Sequence, residues 1–281
     1  MSLSILNNIS SLETQNQMST TNTSLQNVLL QLSTGSRLNS GSDDPAGLAI
    51  ANGLQANTAA LTQSAMNASD GVGKLQVADG ALSQVTTLLN TAITLATEAS
   101  NGTVSSAQQA SMDNEFTSIK AEITRIGGST TYNGAAVFSG TASSVFISDG
   151  TSAGSSTIDA TVGTLSASSI GFSSASPTNL ASDSLTSVSS AMSALTDITT
   201  AIANVAGDRA QVGADMNRLQ SATNVVNTQV QNLTNAFDNI SSANIAQDVS
   251  LMSQYNILQS TGMAALQQSN QSQQSILKLL Q

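Results

Sequence analysis

Three short stretches of the sequence carry residue types that could do chemistry. Residues 71–74 read Gly-Val-Gly-Lys, which superficially suggests a phosphate-binding loop. Ser275 and Lys278 have the Ser-x-x-Lys spacing in which a lysine activates a nucleophilic serine. The first stretch lacks the leading glycine of a phosphate loop and the hydroxyl residue after its lysine, and the second has no Lys-Thr-Gly or Ser-Asp-Asn companion. We therefore predict no catalytic role for either.

The third candidate is the pair Asp43 and Asp44, because adjacent carboxylates could bind a metal ion. Asp44 precedes Pro45, and an aspartate that caps a helix is often followed by proline at the first helical position. The pair lies within the passage LSTGSRLNSGSDDPAGLAIANGLQA, residues 32–56. We predict that Asp44 begins a helix and that the pair binds no metal.

The composition also argues against an enzyme and against a nucleic-acid-binding protein. The 281 residues include no His, Cys or Trp, so the usual zinc ligands, thiolate nucleophiles and the commonest general base are missing. A net charge of −10 opposes binding to nucleic acid and to anionic lipid. No apolar run reaches the roughly 18 residues of a membrane span, and no cleavable signal is recognisable at the N-terminus. We expect a non-enzyme without cofactor, metal, nucleic acid or membrane contact.

Apolar residues spaced by alternating steps of three and four predict long helices. One such row comprises Leu75, Ala78, Leu82, Val85, Leu89, Ala92 and Ala96. A shorter helix is predicted from Met112 to Ile126, between the breakers Asn101-Gly102 and Gly127-Gly128. The longest row runs from residue 188 to residue 240 and is apolar except at Arg209 and Thr223.

Arg209 occupies a position in this row where an unpaired charge would be unfavourable. Its side chain could extend along the edge of the helix to reach water. It could also pair with an acidic residue on another helix and so fix the register of the two. The sequence leaves both interpretations open.

Both chain ends carry weaker apolar stripes, separated by Gln, Asn and Ser. The N-terminal stripe comprises Leu25, Val28, Leu29 and Leu32, and the C-terminal one comprises Ile245, Val249, Met252, Met263, Leu266, Ile276, Leu277, Leu279 and Leu280. Isolated helices are marginal in water, because most helical stability comes from packing. We infer that the terminal helices fold only against partners.

The composition changes between residues 129 and 180 to mainly Ser, Thr, Gly and Ala. Short β-branched runs at Val145–Ile147, Thr157-Ile158 and Ile170–Phe172 are separated by turn residues and predict hairpins. Pro177 marks the return to helix, for which Ser182 or Asp183 is the expected N-cap. The order is therefore helices, a small β insertion, then helices, so the chain must double back.

The segment from Leu32 to Asn52 resembles the N-terminal signature of bacterial flagellins, an LS-TG-R-N-S-DD-AG pattern that joins two helices. Other blocks similar to the family follow in the same order: Ser69-Asp70-Gly71, Ala78-Asp79-Gly80-Ala81-Leu82, Tyr132-Asn133-Gly134, Arg209 to Ala214, Asn217-Arg218-Leu219, Ile257-Leu258-Gln259 and Leu279-Leu280-Gln281. The resemblance covers residues 1–140 and 181–281, while the middle matches nothing nameable.

The resemblance implies a mainly α fold: a long nested helical hairpin or coiled-coil rod, with paired terminal helices and a small β-rich insertion at the outer tip. Residues 1–40 and 245–281 would form an inner-core terminal coiled coil. Residues 41–138 and 181–244 would form an outer-core helical rod, and residues 139–180 a surface-exposed, Ser/Thr-rich insertion.

The resemblance also implies functional residues. The joint between the inner and outer layers, which is also a subunit contact, would comprise Arg37, Asn39, Asp43, Asp44 and Pro45. The polymerisation helices would use Leu25, Leu29, Leu32, Ile245, Val249, Met252, Met263, Leu266, Leu277 and Leu280. The outer-core seam would contain Leu82, Leu89, Leu95, Glu115, Ile123, Arg209, Leu219 and Leu233.

By resemblance, the function would be that of a structural subunit that self-assembles into the helical filament of the bacterial flagellum for swimming. Its partners would be copies of itself, the flagellar type III export apparatus, an export chaperone, a cap protein and a hook-junction protein, and its location the extracellular filament. Recognition by a vertebrate Toll-like receptor is predicted to be weak, because Thr91 and Ile93 stand where strongly stimulating members carry arginines. Two alternatives stay open: a hook–filament junction protein and a soluble signalling coiled coil of the chemoreceptor kind.

Overall fold

The protein is mainly helical in the computed structural model, which describes residues 8–149, 156–171 and 178–279. Its helices are α1 (Ile9–Thr34), α2 (Pro45–Ala99), α3 (Ser106–Ser129), α4 (Val188–Ser241) and α5 (Ile245–Leu279). Its strands are β1 (Thr131–Tyr132), β2 (Ala135–Ala136), β3 (Ala142–Phe146), β4 (Thr157–Thr161), β5 (Thr164–Ser166) and β6 (Ser169–Gly171), which form antiparallel pairs β1–β2, β3–β4 and β5–β6. The prediction of a mainly α fold with a small β insertion is confirmed.

The chain divides into two compact units. The first, here called the terminal unit, contains the described residues up to Ala56 and those from Asn232 onward; the second, the central unit, is Asn57–Gln231. Both divisions fall inside helices, one in α2 and one in α4. The sequence-based expectation placed the two limits at residues 40 and 245, which are nearer to the chain ends than the limits after Ala56 and before Asn232.

In the central unit, one row of α2 side chains is almost completely buried. It comprises Leu75, Ala78, Leu82, Val85, Leu89, Ala92, Ala96 and Ala99. The first seven are the positions that the three-and-four spacing indicates, as expected when an apolar stripe covers one face of a helix. The spacing therefore identifies the packed face of α2 residue by residue.

In α4 the most buried positions lie partly beside the predicted row. Six positions of the predicted row are buried as expected: Ala191, Ile198, Val205, Val212, Leu219 and Val226. The other most buried positions are Ala194, Ala201, Asp208 and Asp215 rather than their larger neighbours Leu195, Ile202, Arg209 and Met216, which are half-buried. Small side chains at a contact allow two helices to approach more closely. The larger neighbours then reach only the edge of the packed face.

Helix α3 continues through the glycine pair that was predicted to end it. It begins with a capping box, in which Ser105 accepts from the backbone N–H of Gln108 and the Gln108 side chain accepts from the backbone N–H of Ser105. Gly127 is buried against strand β5, where a Cβ atom would overlap the carbonyl oxygen of Leu165 and lie 2.8 Å from its carbonyl carbon. Gly127 is thus required for close packing rather than for helix termination.

The insertion packs against the helices of the central unit. Ser64 of α2 donates a hydrogen bond to the carbonyl of Ser148 (2.8 Å) and accepts one from its backbone N–H (3.1 Å). Strand β5 contacts α3, and the apolar side chains of the insertion that are buried include Val145, Ile147, Leu165 and Ile170. These contacts attach the insertion to α2 and α3 within the central unit.

Helix α4 starts later than the sequence suggested. Its N-terminal hydrogen bond is made by Ser187, whose hydroxyl accepts from the backbone N–H of Ser190 at 3.1 Å, so the expected caps Ser182 and Asp183 are wrong. Leu180 and Leu185 are fully buried, and the N–H of Leu185 donates to Asp113 of α3. Burial of these two leucines holds the segment before α4 in a non-helical conformation. Phe172 and Pro177 lie outside the described residues.

Candidate functional site

The terminal unit contains a joint that connects α1 to α2, defined here as residues 35–47. Helix α1 ends at Gly35, which has the left-handed conformation (φ 68°, ψ 6°) and donates its N–H to the carbonyl of Gln31 at 2.8 Å. Glycine adopts this conformation without the steric penalty that other residues pay. The sequence signature therefore begins with a helix C-cap.

After Gly35 the joint binds the end of helix α4. The backbone N–H of Arg37 donates to the carbonyl of Ser241 (2.7 Å), and its guanidinium donates to the carbonyl of Ile240 (2.9 Å). The N–H of Ala243 in turn donates to the carbonyl of Gly35 (3.0 Å). The carbonyls of Ile240 and Ser241 belong to the last turn of α4 and have no partner within the helix. A cation is favourable at this negative end of the helix dipole. Arg37 therefore acts as a C-cap for a helix far away in the sequence.

Asn39 and Asp43 stabilise the turn that follows. Asn39 donates through its side-chain amide to the carbonyl of Ser36 (2.8 Å). One oxygen of Asp43 accepts from the backbone N–H groups of Asn39 (3.1 Å) and Ser40 (2.8 Å). Both side chains thus replace backbone hydrogen bonds in a turn, which is a common role of Asn and Asp.

Asp44 and Pro45 begin α2. The carboxylate of Asp44 accepts from the N–H of Gly47 at 2.9 Å, and Pro45 is the first residue of the helix. Gly47 is buried, and a Cβ atom there would overlap the Asp44 carboxylate. Among the described residues, no group of three or more His, Cys, Asp or Glu side chains is placed to hold a metal ion. Both aspartates accept hydrogen bonds from backbone N–H groups of the joint.

Helices α1 and α5 pair with each other, and polar side chains take part in the contact. Asn8 and Ser269 exchange hydrogen bonds of 3.1 and 3.2 Å, and Gln259 donates to Asn22 at 2.9 Å. Val28 is the one apolar residue of α1 that is buried. Most apolar side chains of the two helices therefore stay half-buried or exposed in the single chain.

The apolar residues predicted for polymerisation are distributed between half-buried and exposed positions. Leu25, Leu32, Met252 and Leu266 are half-buried, while Leu29, Ile245, Val249 and Met263 are exposed. The side chain of Leu277 and the whole of Leu280 lie outside the described residues. Five further exposed apolar residues of the same helices were not predicted as sites: Ile9, Leu12, Leu30, Ile257 and Leu258. Their exposure depends on how α1 meets α5, which no local sequence pattern records.

The predicted outer-core seam residues differ in burial. Leu82, Leu89, Ile123 and Leu219 are buried, Leu95 and Leu233 are half-buried, and Glu115 is exposed. Arg209 forms the ion pair that was one of its two interpretations, with its Nε 2.8 Å from Oδ1 of Asp79 on α2. The hydrogen bond to Asp79 raises the pKa of Arg209 above its ordinary value. Both side chains remain more than a third exposed, so the pair is screened by solvent and its contribution is modest.

No helix within the described residues combines the length and the apolar character needed to cross a bilayer. Within the terminal unit, the structure shows a partly exposed apolar stripe on α1 and α5.

Comparison with known proteins gives consistent matches along the chain. The model of the bacterial flagellin N-terminal helical region matches residues 5–143, and that of the bacterial flagellin C-terminal helical region matches residues 195–280. A flagellin of Halalkalibacterium halodurans is 32% identical over 91% of this chain and 91% of its own length. A flagellin of Listeria innocua is 30% identical over 97% of this chain and 98% of its own length.

A solved structure, the crystal structure of Bacillus cereus flagellin, is 26% identical and covers 61% of this chain and 94% of its own chain, with a TM-score of 0.46. Because this structural similarity is limited, the sequence matches carry the comparison.

Proposed function

The chain belongs to the bacterial flagellin family, whose members build the flagellar filament, and we propose that α1, α5 and the joint are the parts through which this subunit assembles. The protein is a structural subunit that polymerises with copies of itself and contributes to motility. The observation that supports an assembly role for α1 and α5 is the apolar stripe that stays exposed although the two helices are paired with each other.

This stripe gives assembly a driving force. Leu29, Val249 and Met263 are 45%, 44% and 48% exposed, so roughly half of each side chain is available for burial. Burying an apolar side chain completely is worth about 1.5–3 kcal/mol. A head-to-tail contact whose rotation does not close produces an open helical polymer, and the stripe provides a surface for such a contact.

The proposed function of the joint is to fix the geometry in which α1 and α5 present this stripe. Direct hydrogen bonds connect the end of α1 and the joint to the end of α4, through Arg37, and to the short segment between α4 and α5, through Gly35 and Ala243. A change in these bonds would alter the angle between the two terminal helices without removing any apolar surface. Arg37 is therefore a positioning residue for assembly.

The stripe is tested by replacing Val249 and Met263 with serine in one variant, and Gln254 with serine in a matched control. Gln254 is exposed on the same helix but contributes no apolar surface. Each half-exposed apolar side chain is expected to contribute about 1 kcal/mol, so the critical concentration for polymerisation should rise roughly thirtyfold in the double variant. The control should polymerise normally.

Polymerisation is measured by sedimentation and by negative-stain electron microscopy of protein returned to neutral pH with short seeds. Far-UV circular dichroism shows whether the monomeric variants keep their helices. A double variant that stays helical and still polymerises at the normal concentration would show that α5 is not an assembly surface.

The joint is tested with Arg37→Ala and Arg37→Lys. Loss of the guanidinium removes a favourable charge at the end of α4, worth about 0.3–1 kcal/mol, and loosens the connection to Ile240. We expect Arg37→Ala to lower the yield or regularity of filaments, while Arg37→Lys, which keeps the charge, restores part of both. Normal, straight filaments from Arg37→Ala would contradict a positioning role.

Further partners are proposed on the family resemblance: the type III export apparatus, a chaperone that holds the C-terminal helix, a cap protein and a hook-junction protein, with the filament outside the cell. The chain has no cysteine, so no disulfide can prevent passage through an export channel in an unfolded state. A secretion assay with the chain lacking residues 245–281 tests the chaperone role, since intracellular degradation of the truncated chain is the expected result.

Weak recognition by a Toll-like receptor is also proposed. At the relevant part of α2, Thr91 is exposed and Ile93 is half-buried, and neither carries the positive charge of strongly stimulating members. Leu95 and Glu115 retain the residue types that the resemblance associates with recognition. A cell reporter assay that gave a full response at low dose would contradict this proposal.

A further inference from the structure

The sequence contains three Asn-Gly pairs, at residues 52–53, 101–102 and 133–134. In such a pair the backbone nitrogen of the glycine can attack the side-chain amide carbon of the asparagine, because glycine offers no side chain to obstruct the approach. The reaction requires that the glycine nitrogen is accessible and that the backbone can rotate. Whether each pair reacts therefore depends on its conformation in the fold.

Asn101 and Gly102 lie in the exposed turn between α2 and α3. The carbonyl of Asn101 accepts from the N–H of Val104 at 3.1 Å, which places Gly102 inside the turn. Within the part of the chain that the structure describes, no hydrogen bond from the N–H of Gly102 is present. The nucleophile is thus exposed and is not engaged by the backbone.

The side chain of Asn101 makes one hydrogen bond within the turn. Its Oδ1 atom accepts from the backbone N–H of Thr103 at 3.2 Å. This bond withdraws electrons from the amide carbon and places a donor beside the oxygen on which negative charge develops during addition. A donor fixed at a developing oxyanion lowers the barrier of acyl chemistry, and nucleophile and electrophile are adjacent in the same chain.

The other two pairs are constrained. Asn52 and Gly53 lie inside α2, where helical dihedral angles and hydrogen bonds fix the backbone. Asn133 and Gly134 form the two-residue turn between β1 and β2, with φ values of 49° and 77°. That combination is a tight hairpin turn whose strands hold both residues. Either pair would have to open locally before it could react.

We propose that Asn101 is a site of spontaneous, self-catalysed modification in the folded protein. The nitrogen of Gly102 forms a bond to Cγ of Asn101 and loses its proton, and the C–N bond to the side-chain NH₂ group breaks with release of ammonia. Water then opens the resulting five-membered imide at either carbonyl, giving aspartate or isoaspartate. The only co-reactant is water, and no oxidation or reduction occurs.

The product changes the end of α2. Each event adds a negative charge two residues after Ala99, at the end of a helix where the dipole disfavours anions. The Ala99 carbonyl is capped by the side-chain amide of Gln109 at 3.0 Å, and an isoaspartate lengthens the backbone beside this contact. The fraction of subunits that carry aspartate or isoaspartate at residue 101 therefore increases with the time since folding.

The test is peptide mapping by mass spectrometry of the folded full chain after incubation at mildly alkaline pH, with isoaspartate detected by methyltransferase labelling. Asn101 should be converted at least about tenfold faster than Asn52, because an opening step of about 1.4 kcal/mol already slows the helical site by that factor. In denaturant the rates at all three pairs should become similar, which verifies that each product is detected.

Gly102→Ala is the matched variant. Gly102 is not among the glycines with positive φ, and a Cβ atom there would meet nothing within 4 Å, so the fold should be unchanged. The added methyl group obstructs the attacking nitrogen, and the conversion of Asn101 should fall at least about tenfold. Equal rates at Asn101 and Asn52 in the folded protein, or an unchanged rate in Gly102→Ala, would overturn the proposal.

Discussion

Two adjacent glycines of α3 should respond in opposite ways to the same substitution. Gly127 and Gly128 are both near the end of the helix, and neither has a positive φ. A Cβ at Gly127 would overlap the backbone of Leu165, whereas a Cβ at Gly128 would meet nothing within 4 Å. Alanine therefore fits at Gly128 and collides with strand β5 at Gly127.

The magnitude follows from a comparison of the two variants. Replacing glycine by alanine within a helix is worth up to about 1 kcal/mol, and this gain is common to both positions. The difference between them is then the packing penalty alone. The colliding atoms at Gly127 belong to the backbone, which cannot rotate away, so the penalty should lie near the upper end of the overpacking range, about 3 kcal/mol.

The assay is urea and thermal unfolding of the monomer, followed by far-UV circular dichroism. Gly128→Ala should be slightly more stable than the parent chain and Gly127→Ala clearly less stable, with unfolding midpoints separated by roughly 6–12 °C. Equal stabilities, or a more stable Gly127→Ala, would refute the packing of the insertion against α3.

Three further outcomes follow from the central unit. In a double-mutant cycle, Asp79→Ala and Arg209→Ala should give a coupling energy of about 0.2–1 kcal/mol that declines with salt, measured by urea unfolding. Ser64→Ala should destabilise the protein by about 1–3 kcal/mol, because its two buried hydrogen bonds to Ser148 are lost, whereas the exposed Thr62→Ala should have little effect. Burial, followed by repulsion from Asp197, raises the pKa of Asp183 despite the opposing charge of Lys120. The folded protein thus binds this proton more tightly than the unfolded chain, so the stabilising contribution is lost as the pH rises through the raised folded pKa; Asp183→Asn should therefore increase stability at neutral pH and reduce this dependence.

Much of the fold could be predicted because apolar spacing is local information. The row from Leu75 to Ala96 identifies the buried face of α2, and the pair Asp44-Pro45 identifies where that helix begins. Contacts between distant segments were not predictable in the same way. The sequence could not show that Gly127 serves a strand, nor that the side chain of Arg37 reaches Ile240.

The hydrogen-bond partners of the joint residues could not be predicted from the sequence either. The residue types of the joint were identified from the sequence, but their partners were not, because the carbonyls that Arg37 contacts belong to the chain about 200 residues later. Likewise, Asp208 and Asp215 are buried in α4 although they lie beside the predicted apolar row and not in it. A polar residue next to an apolar row is recognisable as part of the buried face only when the opposing surface is known.

The backbone connection between the joint and the end of α4 has a consequence for the order of folding. The hydrogen bond from the Ser36 hydroxyl to the Ser241 carbonyl spans 205 residues, and closing a flexible loop of that length costs about 5 kcal/mol in chain entropy. Prior folding of the intervening segment would shorten the effective loop and remove most of this cost. We therefore expect the terminal helices to pair last and slowly, as contacts of high sequence separation do. The paired arrangement of α1 and α5 would thus form only after the central unit has folded, so their exposed apolar side chains would be presented together at a late stage.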